Sequence, residues 1–156
     1  MAYTPVAMPS VETLHSILEN SIFAELEKND VEKIARILEC GSTKAGEYVY
    51  QMGEPKHSMF IIVSGEVTVC DPMKHTVITK LIESDTFGML SLFFDNAVSP
   101  DIRAAKDSTF LILDAGTLRM IEVSDPTLAI DIFRCIRKAL GELISNISPV
   151  IMRLAL

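Results

Sequence analysis

The chain has 156 residues, 49% hydrophobic and 22% charged, with a net charge of −7. That length makes one domain, able to bury about two thirds of its unfolded surface without a disulfide or metal staple. The composition excludes a disordered tail, and the acidic balance disfavours non-specific binding to phosphate backbones.

Residues 1–43 read as an N-terminal helical segment. Ser10 stands at an N-cap position ahead of Leu14, Ile17 and Leu18, which recur at helical spacing. Ile22, Phe23 and Leu26 mark a short second turn of helix. Asp30 is expected to cap a third piece, with Val31, Ile34, Ile37 and Leu38 on its apolar face and Gly41 at its end. That cap is one-sided, because Lys33 occupies the place where a capping box needs an acid or its amide.

Residues 44–114 change character, with short apolar runs divided by Gly, Pro, Asp and Ser. Strands are expected at 47–51, 59–63, 66–69, 76–82 and 110–113, with a tight turn at Ser64-Gly65. Residues 59–63 are apolar without interruption and predict a strand buried on both faces. Many short strands divided by turn signals suggest a sandwich or a jelly-roll barrel.

Residues 115–156 return to helix, as a hinge and a long last helix. Residues 115–122 carry Leu118 and Ile121 one turn apart. Ser124-Asp125-Pro126 is a start signal, a capping side chain followed by proline in the first turn. Ala129, Phe133, Ile136, Leu140, Leu143, Ile147, Val150 and Leu154 then alternate spacings of four and three, which is a heptad seam. Pro149 should break or kink this helix near Ser148. The stripe is wider than one small barrel covers, and exposing the remainder would leave a large apolar patch. A homodimer is therefore expected, with Phe133, Ile136, Leu140, Leu143 and Ile147 at its interface.

Cys40, Cys70 and Cys135 lie far apart and form no C-x-x-C pair. They read as small buried hydrophobes in a reducing compartment, and a cytoplasmic location is expected. Neither a signal peptide nor an apolar run of membrane-spanning length occurs, so no membrane association is expected. A metal-dependent barrel enzyme would need converging histidines and a carboxylate. His15, His57 and His75 form no such pattern and are expected at the surface. With neither a G-x-S-x-G motif nor a phosphate loop, no catalytic residue, no metal and no enzymatic activity are expected. Residues 145–156 hold one basic residue, Arg153, so direct nucleic-acid binding is not expected either.

Helices, about eight strands, then two helices resemble the layout of a cyclic-nucleotide-binding domain. Four stretches carry the resemblance: AGEYVYQMGE at 45–54, MFIIVSGEVTV at 59–69, LIESDTFG at 81–88 and IRAAKDSTFLILD at 102–114. The resemblance covers roughly residues 20–145. It implies an α+β fold, a jelly-roll barrel of about eight antiparallel strands flanked by N-terminal helices and a long C-terminal helix.

In that family a short helix beginning at a glycine receives the cyclic phosphate on its free N–H groups. The matching cassette here is residues 87–99, and the resemblance implies Phe87, Gly88, Met89, Leu90, Ser91, Val98 and Ser99 as ligand-site positions. The departures are specific. Met89 stands where the family has the glutamate that holds the ribose, and Val98 where it has the arginine that pairs with the phosphate. Ala97 replaces a usual proline and Ser84 a usual glycine. Losing both charged contacts should cost roughly 3–6 kcal/mol, about two to four decades in affinity. Arg103, Lys80 and Lys106 are the candidate substitute cations.

The expectation is a non-enzymatic regulatory module that takes neither cyclic AMP nor cyclic GMP in the usual way, uses no cofactor and pairs through its last helix. A further protein partner is possible in such a module. The alternative is a small-molecule sensor, for a cyclic nucleotide or an apolar ligand, signalling through the helices after Asp114.

Overall fold

The computed structural model describes residues 3–94 and 100–146. Nine strands and four α-helices lie among them. The first sheet takes β1 (Thr4–Pro5), β2 (Glu39–Thr43), β9 (Ser108–Asp114), β4 (Ser58–Ser64) and β7 (Thr86–Phe87), side by side in that order. The second takes β3 (Tyr48–Tyr50), β8 (Asp101–Ala104), β5 (Val67–Cys70) and β6 (Val77–Leu81). Every pairing is antiparallel, as the jelly roll requires.

The uninterrupted apolar run of β4 has a two-sided cause. Met59, Ile61 and Val63 face the helices, while Phe60 and Ile62 face the roll interior. On β9, Leu111 and Leu113 join the helical side and Phe110 and Ile112 the interior. A strand covered on both faces gains from apolar residues at every position.

Helix α1 (Val11–Glu19) starts as its sequence predicts, the Ser10 hydroxyl accepting from the Thr13 N–H at 3.2 Å. Three expectations in the leading segment are corrected. Residues 22–25 form turns rather than helix. Helix α2 (Lys28–Ala35) begins after Glu27, so Asp30 sits inside its first turn. There its charge still favours the helix dipole, without a capping bond. Gly41 does not end that helix but lies in β2. The leading 43 residues therefore contribute two strands as well as helices.

Helix α3 (Ala115–Ser124) is capped by Asp114, whose carboxylate accepts from the Gly116 and Thr117 N–H groups at 2.8 and 3.1 Å. Helix α4 (Pro126–Ser145) begins at the predicted signal, the Asp125 carboxylate accepting from the Leu128 N–H at 3.2 Å. Lys33 on α2 reaches the same carboxylate at 3.0 Å and ties α2 to the start of α4. Pro149 and its neighbours lie outside the described residues.

Cys40 and Cys135 are buried and Cys70 is half-buried, all as free thiols. No helix among the described residues is long and apolar enough to cross a membrane.

Candidate functional site

The cassette starts where β7 runs out. Phe87 turns into the roll interior, and Gly88 follows with a φ of +80°. A Cβ at Gly88 would sit 2.8 Å from the Ser58 carbonyl oxygen, so both conformation and space demand glycine. Met89–Leu92 then forms one 3-10 turn, closed by the Ser91 N–H donating to the Gly88 carbonyl at 3.0 Å. Met89 packs against the helical core, Ser91 and Leu92 are buried, and Leu90, Phe93 and Phe94 are exposed. Of the sequence-derived site residues, Phe87 through Ser91 thus come together on one turn, while Val98 and Ser99 lie outside the described residues.

Ser84 holds a left-handed φ of +70° just before this turn. That is the conformation for which the family's glycine at this place is suited, and a side chain there costs about 1–2 kcal/mol. The chain keeps the local geometry despite the substitution, its Ser84 N–H donating to the Ile62 carbonyl at 2.8 Å.

Aromatic rings fill the interior beside the cassette. Phe60 and Phe87 stack with centroids 5.0 Å apart, and Phe110 meets them edge-on at 5.8 and 5.7 Å. Tyr50 packs on the same pair at 6.3 and 6.0 Å, and burial pushes its phenol pKa upward. The sequence marks each of these as apolar. Their mutual packing depends on strand register.

The expected substitute cations face elsewhere. The Arg103 Nε donates to the Gly46 carbonyl at 2.9 Å, with its guanidinium over the Tyr48 ring. Lys80 and Lys106 both pair with Glu66, at 3.3 and 3.8 Å. The cation that reaches the aromatic wall is Lys56, which the sequence reading passes over. It is only 4% exposed, with its Nζ 4.6 Å from the Tyr50 ring centroid. Burial lowers its pKa, opposed by the nearby charges of Glu54 and Asp101. A lysine after Gly-Glu-Pro reads as an exposed turn residue, and nothing local signals its burial.

His57 and His75 are exposed and His15 is half-buried. No cluster of three or more metal-ligating side chains occurs among the described residues.

The expected interface stripe divides along α4. Ile136 is 1% exposed within its own domain, beside Ala129 and Ile132. It therefore leaves the expected interface set, because the domain's own helices already cover it. Phe133 and Leu140 are half-buried, and Phe133 meets Phe93 of the cassette turn at 5.9 Å. Leu143 is 58% exposed, and Ile144 beside it is exposed too. Ile147 lies outside the described residues.

A nine-stranded antiparallel roll with a glycine-led turn beside a long helix defines a class, the jelly rolls flanked by helices. Within it, this chain belongs to the cyclic nucleotide-binding domain family, whose sequence profile matches residues 41–122. It is 25% identical to an uncharacterized NTE family protein of Mycobacterium tuberculosis over 78% of this chain and 21% of that one. It is 29% identical to a cyclic nucleotide-gated potassium channel of Mesorhizobium japonicum over 72% of this chain and 30% of that one. The chain thus spans less than a third of these relatives.

Among solved structures, a cyclic nucleotide-binding domain from Methylobacillus flagellatus superposes with a TM-score of 0.77 at 18% identity, covering 92% of this chain and 83% of that one. The regulatory domain of Toxoplasma gondii PKA with cAMP gives 0.63 at 20%, covering 74% and 47%. These two likenesses show the fold.

Proposed function

We propose that this chain is a regulatory or interaction module whose ordinary nucleotide site has been lost, and that it pairs through α4. The observation that carries this reading is the replacement of both charged ligand positions by apolar residues, Met89 and Val98. Met89 packs against the helical core instead of presenting an acid to a sugar. The rings of Phe60, Phe87, Phe110 and Tyr50 support the same reading, since they already meet one another inside the roll. A cyclic phosphodiester brought there would shed its water without an arginine to replace it.

A second reading, a small-molecule sensor, draws on Lys56, which brings a cation to the Tyr50 ring from the β3–β4 turn. The names of two relatives, a cyclic nucleotide-gated channel and a cGMP-dependent protein kinase, keep that reading in view. One titration separates the two. Cyclic AMP and cyclic GMP, raised to millimolar levels, leave the melting temperature unchanged if the site is lost. A saturable rise that Lys56→Met abolishes favours the sensor.

Pairing rests on the exposed end of α4. Leu143→Lys is expected to convert a dimer to a monomer in sedimentation while leaving the melting curve of the domain nearly intact. An unmutated chain that already sediments as a monomer would refute this part.

A further inference from the structure

The strand ahead of α1 is short, and its packing is specific. Thr4 pairs with Ser42 and Pro5 with Gly41, and the Val6 N–H donates to the Cys40 carbonyl at 3.0 Å. Tyr3 turns its ring edge-on against Phe60, at a centroid distance of 5.9 Å and an interplanar angle of 78°. It thereby joins the aromatic interior from the flank of the first sheet.

Gly41 explains how the ring gets there. It does not adopt a positive φ, so its backbone needs no glycine. Its missing side chain serves space instead, since a Cβ there would lie 2.6 Å from Tyr3 Cδ2 and 3.0 Å from Ile112 Cδ1. The β2 edge therefore carries a slot cut to one aromatic ring. Pro5 finishes the edge by offering no N–H to a further strand. Thr4, Pro5 and the following Val6 and Ala7 are exposed, and a two-residue ladder is a small anchor.

We infer that the β2 edge and its slot at Gly41 form a strand-docking surface, which residues 3–6 occupy reversibly and which the same segment of a second copy can take. The second copy is the occupant because the complementary sequence is already in the chain. Exchange between copies remakes the same contacts and needs only that residues 6–10 extend.

Two measurements on the full chain test this. In native-state hydrogen exchange, the Val6 amide should exchange at least about 100-fold faster than the Ile61 amide at the centre of β4, through an opening confined to the segment. Equal rates would mean that the segment leaves only when the whole domain unfolds, and the inference fails. Second, a peptide of residues 1–10 is titrated into the full-length Tyr3→Ala chain, whose own segment has lost its ring. Saturable binding is expected, at least tenfold tighter than to the unmutated chain and abolished when Gly41→Ala is added. The inference is overturned if the peptide does not bind, if it binds both chains equally, or if it still binds the Gly41→Ala chain. Neither measurement depends on the nucleotide site.

Discussion

The two faces of the first sheet carry different cores. Toward the helices, Met59, Ile61, Val63, Leu111 and Leu113 meet Ile17, Leu18, Ile34 and Ile132, an aliphatic layer. Toward the roll interior, Phe60 and Phe110 meet Phe87 and Tyr50, a layer of rings. The cassette turn straddles the two, Phe87 in the ring layer and Met89 and Leu92 in the aliphatic one. Aliphatic side chains of similar size exchange with little loss, whereas removing a large ring with fixed contact angles leaves a gap that the smaller Val49, Ile62, Ile102 and Ile112 beside it fill only in part. The ring layer should therefore be the less forgiving half, and the turn that joins both should inherit its rigidity.

The largest expected effect breaks the ring layer. Phe60→Ala should destabilise the domain by about 3–5 kcal/mol, because four rings lose a common neighbour. Ile61→Ala, one residue along and facing the helices, should cost about 2–3 kcal/mol, the low end for such a truncation, because the aliphatic neighbours can close in. Urea denaturation measures both, and similar losses would erase the contrast.

Gly88→Ala comes next, at about 1–3 kcal/mol, since it forces a side chain into a left-handed φ and toward the Ser58 carbonyl. The same urea series reads it, and a neutral result would mean that the turn is free to move away from β4.

How much of this was legible depends on the range of the interactions. The β4 run and the Asp125-Pro126 start are local signals, a continuous apolar stretch and a capping side chain before proline, and both read correctly. Gly41 reads as a helix stop because glycine commonly is one, yet its reason is the Tyr3 ring, which lies 38 residues earlier in the chain. Lys56 is hidden likewise, because only the fold brings the Tyr50 ring beneath its ammonium group. The apolar stripe of α4 was legible as a stripe. Its division into a covered half and an exposed half was not, because which helices lie over Ile136 is a tertiary fact.

A smaller effect probes the tie between α2 and α4. Lys33, and then the Leu128 N–H, hold the Asp125 carboxyl below the usual carboxylate range. A carboxyl whose folded pKa is depressed stabilises the fold above its unfolded pKa and stops doing so as pH falls through the folded value. The melting temperature should therefore drop as pH falls below the ordinary carboxylate range, and Asp125→Asn should flatten that part of the profile. An unchanged profile in the variant would assign the acid sensitivity to other carboxylates.

The smallest effect concerns Ser84. Replacing it with glycine should relieve its left-handed φ and raise stability by up to about 1 kcal/mol, the gain being reduced by the extra freedom of the unfolded glycine. A loss of stability on thermal melting would show that the serine side chain makes a contact worth more than its strain.

The amide of Gly88 tests the central claim most directly, because any cyclic phosphate seated in the family's manner must come to rest against it. Amide chemical shifts of Gly88 and Ser91, followed while cyclic AMP and cyclic GMP are raised to millimolar concentration, should not move along a saturable curve. Saturable movement of those two amides, with either nucleotide, would contradict a lost site.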